Sequence, residues 1–224
     1  MAAFLYASNL CMKRLLGSTL HIYILLFDMV INMDKIKKVT WRVIPTSMPS
    51  IIRHCSKCNK KMNFYCSEKF RANANQTRVD IWLIYKCTKC DSTWKLTISK
   101  GIKPRDLPAG LFDKFVDNDR DLAWMYAFDR NFLKQNACTV EYAGIEYAID
   151  GVEGFRDPIQ VQLQSPYIFD LKLSALLAKA LGVSIGQIKK HVENGKISTE
   201  PECDIMKLRI KNDMTLFINS DVFN

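Results

Sequence analysis

Hydrophobic and polar positions follow two periods along this chain. Residues 36–44 are β-branched and partly alternating, which predicts a strand closed by Pro45 and Pro49. Val79 to Lys86 is apolar through Ile81, Trp82, Leu83, Ile84 and Tyr85, which predicts a buried strand. Trp94, Leu96 and Ile98 alternate with Lys95 and Thr97, as in a half-buried return strand. Asn73 to Thr77 reads as a loop, and Pro104 and Pro108 mark a linker.

The period then lengthens. Leu111, Phe112, Phe115 and Val116 fit a short helix. Asn118 is placed to cap a second one, with Asp119 and Asp121 in its first turn. Leu122, Met125, Phe128 and Phe132 run along that helix toward Lys134. Val140 to Ile149 and Ile159 to Leu163 read as strands around the turn-rich Asp150–Gly154. Leu173, Leu176, Leu177, Ala180 and Leu181 share one helix face, stopped by Gly182. Ser184 and Gln187 form a capping-box pair for the next helix, which carries Ile188 and Val192 and ends at Gly195. Strands are expected at 207–211 and 214–219.

Residues 1–32 differ from the rest. Lys13-Arg14 precede an apolar run from Leu15 to Asn32, interrupted by His21 and Asp28. A membrane span needs about 20 predominantly apolar residues, and no small-residue cleavage site follows. Met33-Asp34-Lys35-Ile36 reads like a natural start. The segment is therefore expected to be a non-native or unstructured extension, without membrane association; a true anchor is the competing reading.

Composition adds a charge pattern. The 224 residues carry a net charge of +9. Residues 34–100 hold fifteen Lys and Arg against four acids, whereas residues 101–170 hold seven against twelve. A basic stretch of this kind fits a polyanion, most often nucleic acid, or a solvated surface.

Four of the eight cysteines come as Cys55-Ser-Lys-Cys58 and Cys87-Thr-Lys-Cys90, with 28 residues between the pairs. Each pair can form a tight turn presenting two thiolates, and two such turns make a closed tetrahedral four-sulfur site, for zinc first and mononuclear iron as the alternative. Asn59 and Asp91 follow the pairs, where a zinc turn often needs positive φ. CxxC pairs without a clear signal peptide favour a metal and a reducing, cytoplasmic setting over disulfides. Cys11, Cys66, Cys138 and Cys203 read as small buried apolar residues, with Cys66 a weaker substitute ligand. The fold class is then α+β. It comprises a zinc-ribbon-like β module over 33–101, a helical and β-hairpin connecting region over 102–169, and two helices plus strands over 170–224.

The last segment resembles the S-four-type RNA-binding domain. The carrying residues are Lys172-Leu173-Ser174, Leu176-Leu177, Leu181-Gly182-Val183-Ser184-Ile185, and Gln187 through Ile197 with Gly195 and Lys196. Ile185 stands where that family has arginine, Ser198-Thr199-Glu200-Pro201 replaces its Val-Asn-Gly hairpin, and Asn212-Asp213 replaces a Gly-Asp pair. Joined to the four-cysteine front, the chain also resembles an uncharacterised bacterial family. The resemblance implies phosphate contacts by Lys172, Ser184, Gln187, Lys189, Lys190 and Lys196, and binding to structured RNA such as ribosomal or transfer RNA.

Three functions are weighed. The first is a non-enzymatic, zinc-containing RNA-binding protein. The second is a zinc-ribbon adaptor that binds protein and no nucleic acid. The third, an enzyme, finds no phosphate-cradling glycine loop and no nucleophile–base arrangement in the sequence, and a four-thiolate zinc leaves no place for water. Trp41, Phe64, Tyr65, Trp82 and Trp94 offer stacking surfaces, although a place in a small sheet core is the readier account of most. His191 has no partner in the sequence and reads as a helix-surface residue.

Overall fold

The computed structural model describes residues 36–223 apart from Gln76 and Phe155. The expectation for residues 1–32 lies outside the described residues. Among the described residues no helix is long and apolar enough to cross a membrane. Among the described residues the fold is mixed α+β, with two five-stranded sheets.

One sheet starts with β1 (Lys37–Pro45). The chain then leaves it to build the second sheet from β2 (Ser50–Cys55), β3 (Lys60–Asn75), β4 (Arg78–Cys87) and β5 (Thr93–Ile102). Three helices follow: α1 (Leu111–Val116), α2 (Arg120–Phe128) and α3 (Arg130–Gln135). The short β6 (Thr139–Glu141) closes this sheet beside β2, giving the order β5-β4-β3-β2-β6. The chain then returns to the first sheet through β7 (Tyr147–Asp150), β8 (Ile159–Gln164), the helices α4 (Leu173–Leu181) and α5 (Ile185–Glu193), β9 (Ile197–Glu200) and β10 (Met214–Ile218). That sheet has the order β7-β1-β8-β10-β9. β1 runs parallel to β8, so a long crossover is required, and the whole second sheet with its helices sits in it.

β1 therefore pairs with β7 and β8, not with the cysteine-bearing strands it precedes in sequence. Its alternation puts Trp41 and Val43 fully inside a core shared with Val161, Leu176, Leu177 and Leu216. The other core joins Ile51, Phe70, Leu83 and Tyr85 to Phe115 and Leu133. α2 lies between the two. Its Leu122, Ala123 and Ala127 enter the second core, while Trp124 and Phe128 enter the first. Full burial of each such large apolar side chain contributes about 1.5–3 kcal/mol, so both cores hold substantial stability without the cysteines.

Several expected elements change. Asp119, not Asn118, caps α2: its carboxylate accepts from the Leu122 amide at 2.7 Å. Asn118 sits at φ 57° and uses its side-chain oxygen elsewhere. The helix expected to continue through Phe132 breaks at Asp129, whose carboxylate caps α3 through the Asn131 and Phe132 amides. The single strand expected over 140–149 is two strands in different sheets. Gly144, at φ 79°, lies between them, and the Glu141 carboxylate takes up the Ala143 amide. Residues 207–211 form no ladder; they make one bridge, Arg209 to Lys172, because Asp204 turns the chain by accepting from the Lys207 and Leu208 amides. The strand partner of β10 on that side is β9. β3 extends through Asn75, so the expected loop at 73–77 is mostly strand. Cys203 is exposed rather than buried.

Candidate metal centre and its basic surroundings

β2 ends at Cys55 and β4 ends at Cys87. β3 lies between these strands and pairs with both, so the two strand ends meet at one end of the sheet. Each strand runs into a tight turn carrying the second cysteine of its pair. Asn59 at φ 53° and Asp91 at φ 57° take the left-handed backbone that leads out of each turn; both residue types tolerate it better than other non-glycine residues. The Asp91 amide donates to the Cys87 carbonyl at 3.0 Å, the Cys87 amide to the Ser92 carbonyl at 3.0 Å, and the Cys58 amide to Cys55 Sγ at 3.5 Å.

The four sulfurs lie within 4.8 Å of one another. Cys55 and Cys90 are 3.5 Å apart, and Cys58 and Cys87 are 3.9 Å apart. Cys55 and Cys87 are buried while Cys58 and Cys90 are half-buried, and none of the four is in a disulfide. The Ser92 hydroxyl, 3.2 Å from Cys55 and 3.1 Å from Cys90, lowers both thiols, Cys55 to about 6. A hydrogen bond with Cys90, then burial and hydrogen bonds with the other two sulfurs, pushes Cys58 up to about 12. Four negative charges in this space need a cation to coexist. The cluster can hold a metal ion, and four protein ligands would fill a tetrahedral shell. Cys66 does not belong to it. It lies on the core face of β3 opposite Tyr85, and burial pushes its thiol up to about 11.

Cations ring the cluster. Lys57, Lys60, Lys61 and Lys89 are exposed. Lys86 is 2.9 Å from Asp91, whose other oxygen accepts from the Tyr65 hydroxyl at 2.8 Å; Lys86 and then Tyr65 hold the Asp91 carboxyl below its ordinary range. The Arg53 guanidinium lies over the Trp94 ring, 3.9 Å from its centre.

The residues expected from the C-terminal resemblance fall in the other sheet's layer, apart from the cysteines. Ser184 and Gln187 spend their side chains on each other: the Gln187 amide donates to Ser184 Oγ at 3.2 Å and the Ser184 amide to Gln187 Oε1 at 2.9 Å. Lys189 pairs with Glu193 at 3.7 Å and Lys196 with Asp221 at 3.2 Å. Lys172 and Lys190 are exposed and have no acidic partner among the described residues. Ile185, where the resembled family has arginine, is half exposed at 50%.

The sequence reading missed the outward residues of β3, Lys69 and Arg71, because it assigned no strand between Cys58 and Val79. The alternation Met62, Phe64, Cys66 and then Phe70, Ala72 was the available signal, diluted by Lys, Asn and Arg at the intervening positions.

No curated protein and no solved structure gives a significant match to the chain. One family model matches residues 72–203, more than half of the 224 residues, spanning the second cysteine pair, the helical layer and most of the return to the first sheet. On that match the chain belongs to the family described as a protein of unknown function (DUF1062).

Proposed function

We propose that this protein is a non-enzymatic RNA-binding protein of the cytoplasm, with a structural zinc ion on its four cysteines and phosphate contacts made by lysines. A regular tetrahedron with a Zn–S bond of about 2.3 Å puts its sulfurs about 3.8 Å apart. The separations of 3.5 and 3.9 Å fit that size. Thiolates favour zinc over hard cations. On this reading zinc fixes the ends of β2 and β4 in a zinc-ribbon-like arrangement, and its full shell leaves no site for an activated water.

The observation that carries the RNA reading is the excess of cations in the cysteine-bearing segment, fifteen against four acids over 34–100. The helix pair α4 and α5, joined through Gly182 and a capping box at Ser184, supports the S-four-type likeness. Of the lysines that likeness implicates, Lys172 and Lys190 have no acidic partner among the described residues. The test is binding to a labelled RNA hairpin across a salt series. Log affinity falls with log salt, and Lys172→Glu with Lys190→Glu lowers the slope by about 2. No binding at low salt overturns the proposal.

The adaptor reading draws on a different surface. Val116, Met125 and Ile168 are large, apolar and about half exposed, and Met125 and Ile168 share a depression with Phe128 and Tyr167. A pull-down dominated by one protein, insensitive to nuclease and lost on Met125→Asp, would favour it.

A further inference from the structure

A sheet with one face in a core and one in water normally alternates apolar inward and polar outward. β4 breaks that rule. Val79, Ile81, Leu83, Tyr85 and Cys87 point into the core, yet the outward row is Asp80, Trp82, Ile84 and Lys86. The helices cover the other side, where Phe70 meets Phe115 at 5.0 Å. Neither Trp82 nor Ile84 joins either core, and both are half-buried rather than fully enclosed.

Register shows what surrounds them. Lys69 of β3 and Lys95 of β5 flank Ile84, and Arg71 and Thr97 flank Trp82. Directly paired residues share a face, with Cβ atoms about 4.5–5.5 Å apart. The Lys95 ammonium lies over the Trp82 ring, 4.9 Å from its centre. Lys69, Arg71 and Lys95 are exposed and have no acidic partner among the described residues. The two acids of this face are engaged at its ends. Asp80 accepts from the Gly101 amide at 2.7 Å, and Asp91 is held by Lys86 and Tyr65. A half-buried indole beside three cations that have no acidic partner among the described residues suits a flexible polyanion with aromatic faces.

Resting on the RNA-binding reading, we propose that this outer face of β3, β4 and β5 binds single-stranded RNA. A base stacks on Trp82, and Lys69, Arg71 and Lys95 neutralise the neighbouring phosphates. Lys95, on a flexible stem, swings from the ring to a phosphate as the base arrives. Stacking on one aromatic ring is sequence-tolerant, because every base has a π face. The site therefore discriminates unpaired from paired strands rather than one sequence from another.

The test uses the full-length, metal-loaded protein with fluorescein-labelled 12-nucleotide oligo(U) and oligo(A), beside the labelled hairpin. Trp82→Leu weakens binding of both oligonucleotides by roughly 5- to 100-fold, and Trp82→Phe restores most of it. The triple change Lys69→Gln, Arg71→Gln, Lys95→Gln lowers the single-strand salt slope by about 2. Those side chains are exposed, so this variant keeps the test open if Trp82→Leu fails to fold. The pair Lys172→Glu, Lys190→Glu leaves oligonucleotide binding within about twofold. Oligonucleotide binding that is absent, or unmoved by the Trp82 and triple variants, while the hairpin still binds, overturns this inference and leaves the broader RNA reading standing. Failure to bind any RNA overturns both. A protein partner lost on Trp82→Leu, with no oligonucleotide bound, also overturns it.

Discussion

The Trp124 indole Nε1 donates to Glu68 Oε1 at 3.0 Å, joining two residues 56 positions apart. Glu68 sits in the bulge of β3 at φ 58°, and Trp124 sits on the helix between the two cores. Arg120 approaches the same carboxylate at 3.4 Å. The bulge thus aims a carboxylate at the helical layer. Trp124→Phe keeps a ring and removes the donor, and should cost about 1–2 kcal/mol in urea unfolding. A double-mutant cycle with Glu68→Ala, which removes the acceptor, should recover most of that as coupling; zero coupling would deny the bond a role.

The second tie between strand and helices is Asn118, whose Oδ1 accepts from the Phe70 amide at 2.7 Å while its backbone holds φ 57°. Asn118→Gly removes the bond and keeps the backbone. Asn118→Ala removes the bond and adds strain. The expected order of stability is wild type, then glycine, then alanine, with alanine about 1–2 kcal/mol below wild type. Equal values for glycine and alanine would refute the strain argument.

Metal loss should loosen the cysteine-bearing end of the second sheet and lower stability, while the core of that sheet persists. One zinc per chain is expected by elemental analysis, and chelation should lower the melting temperature by about 10 °C or more. Cys87→Ser should abolish stoichiometric metal. Cys203→Ser, exposed and outside the cluster, should retain it. Retention of full metal by Cys87→Ser would count against the four-thiolate site.

Cys66 carries a pH signature. Burial raises its thiol from 9.0 to about 11. The folded state therefore holds a proton that the unfolded chain releases first. The stability from that proton is fully present below about pH 9 and falls as pH rises toward 11. Cys66→Ala should show a smaller loss than wild type over that window. At pH 8 about one thiol in a thousand would be ionised, so alkylation mapped by mass spectrometry should mark Cys203 and spare Cys66.

Ser184 is tested apart from RNA. Its hydroxyl completes the capping box of α5, so Ser184→Ala should cost about 1 kcal/mol. Hairpin affinity under folding conditions should change less than for Lys190→Glu. A larger loss of binding than of stability would return Ser184 to a contact role.

Much of the local design was legible. The cysteine spacing, with Asn59 and Asp91 after each pair, foretold two turns with positive φ, because a backbone conformation that few side chains accept leaves a trace in residue choice. The capping box at Ser184 and the glycine after Leu181 were legible for the same reason. The long β3 was not, because the two extra residues of its bulge and its polar outer row hide the alternation.

By itself, then, the sequence determined the chemistry that acts within a few residues: thiolate turns, helix caps and the apolar faces of α4, α5 and β4. Tertiary structure alone decided which strands pair. β1 lies beside β8 and not beside the cysteine strands, and the run expected as one strand over 140–149 divides between two sheets. It also decided that Trp82 lies half-buried outside both cores, beside Lys69, Arg71 and Lys95. The physical reason is one of range. A cap or a turn is set by a residue's own backbone and its next neighbours. Pairing and exposure depend on which distant surfaces bury together, and a strand's outward row carries no mark of whether another layer will cover it.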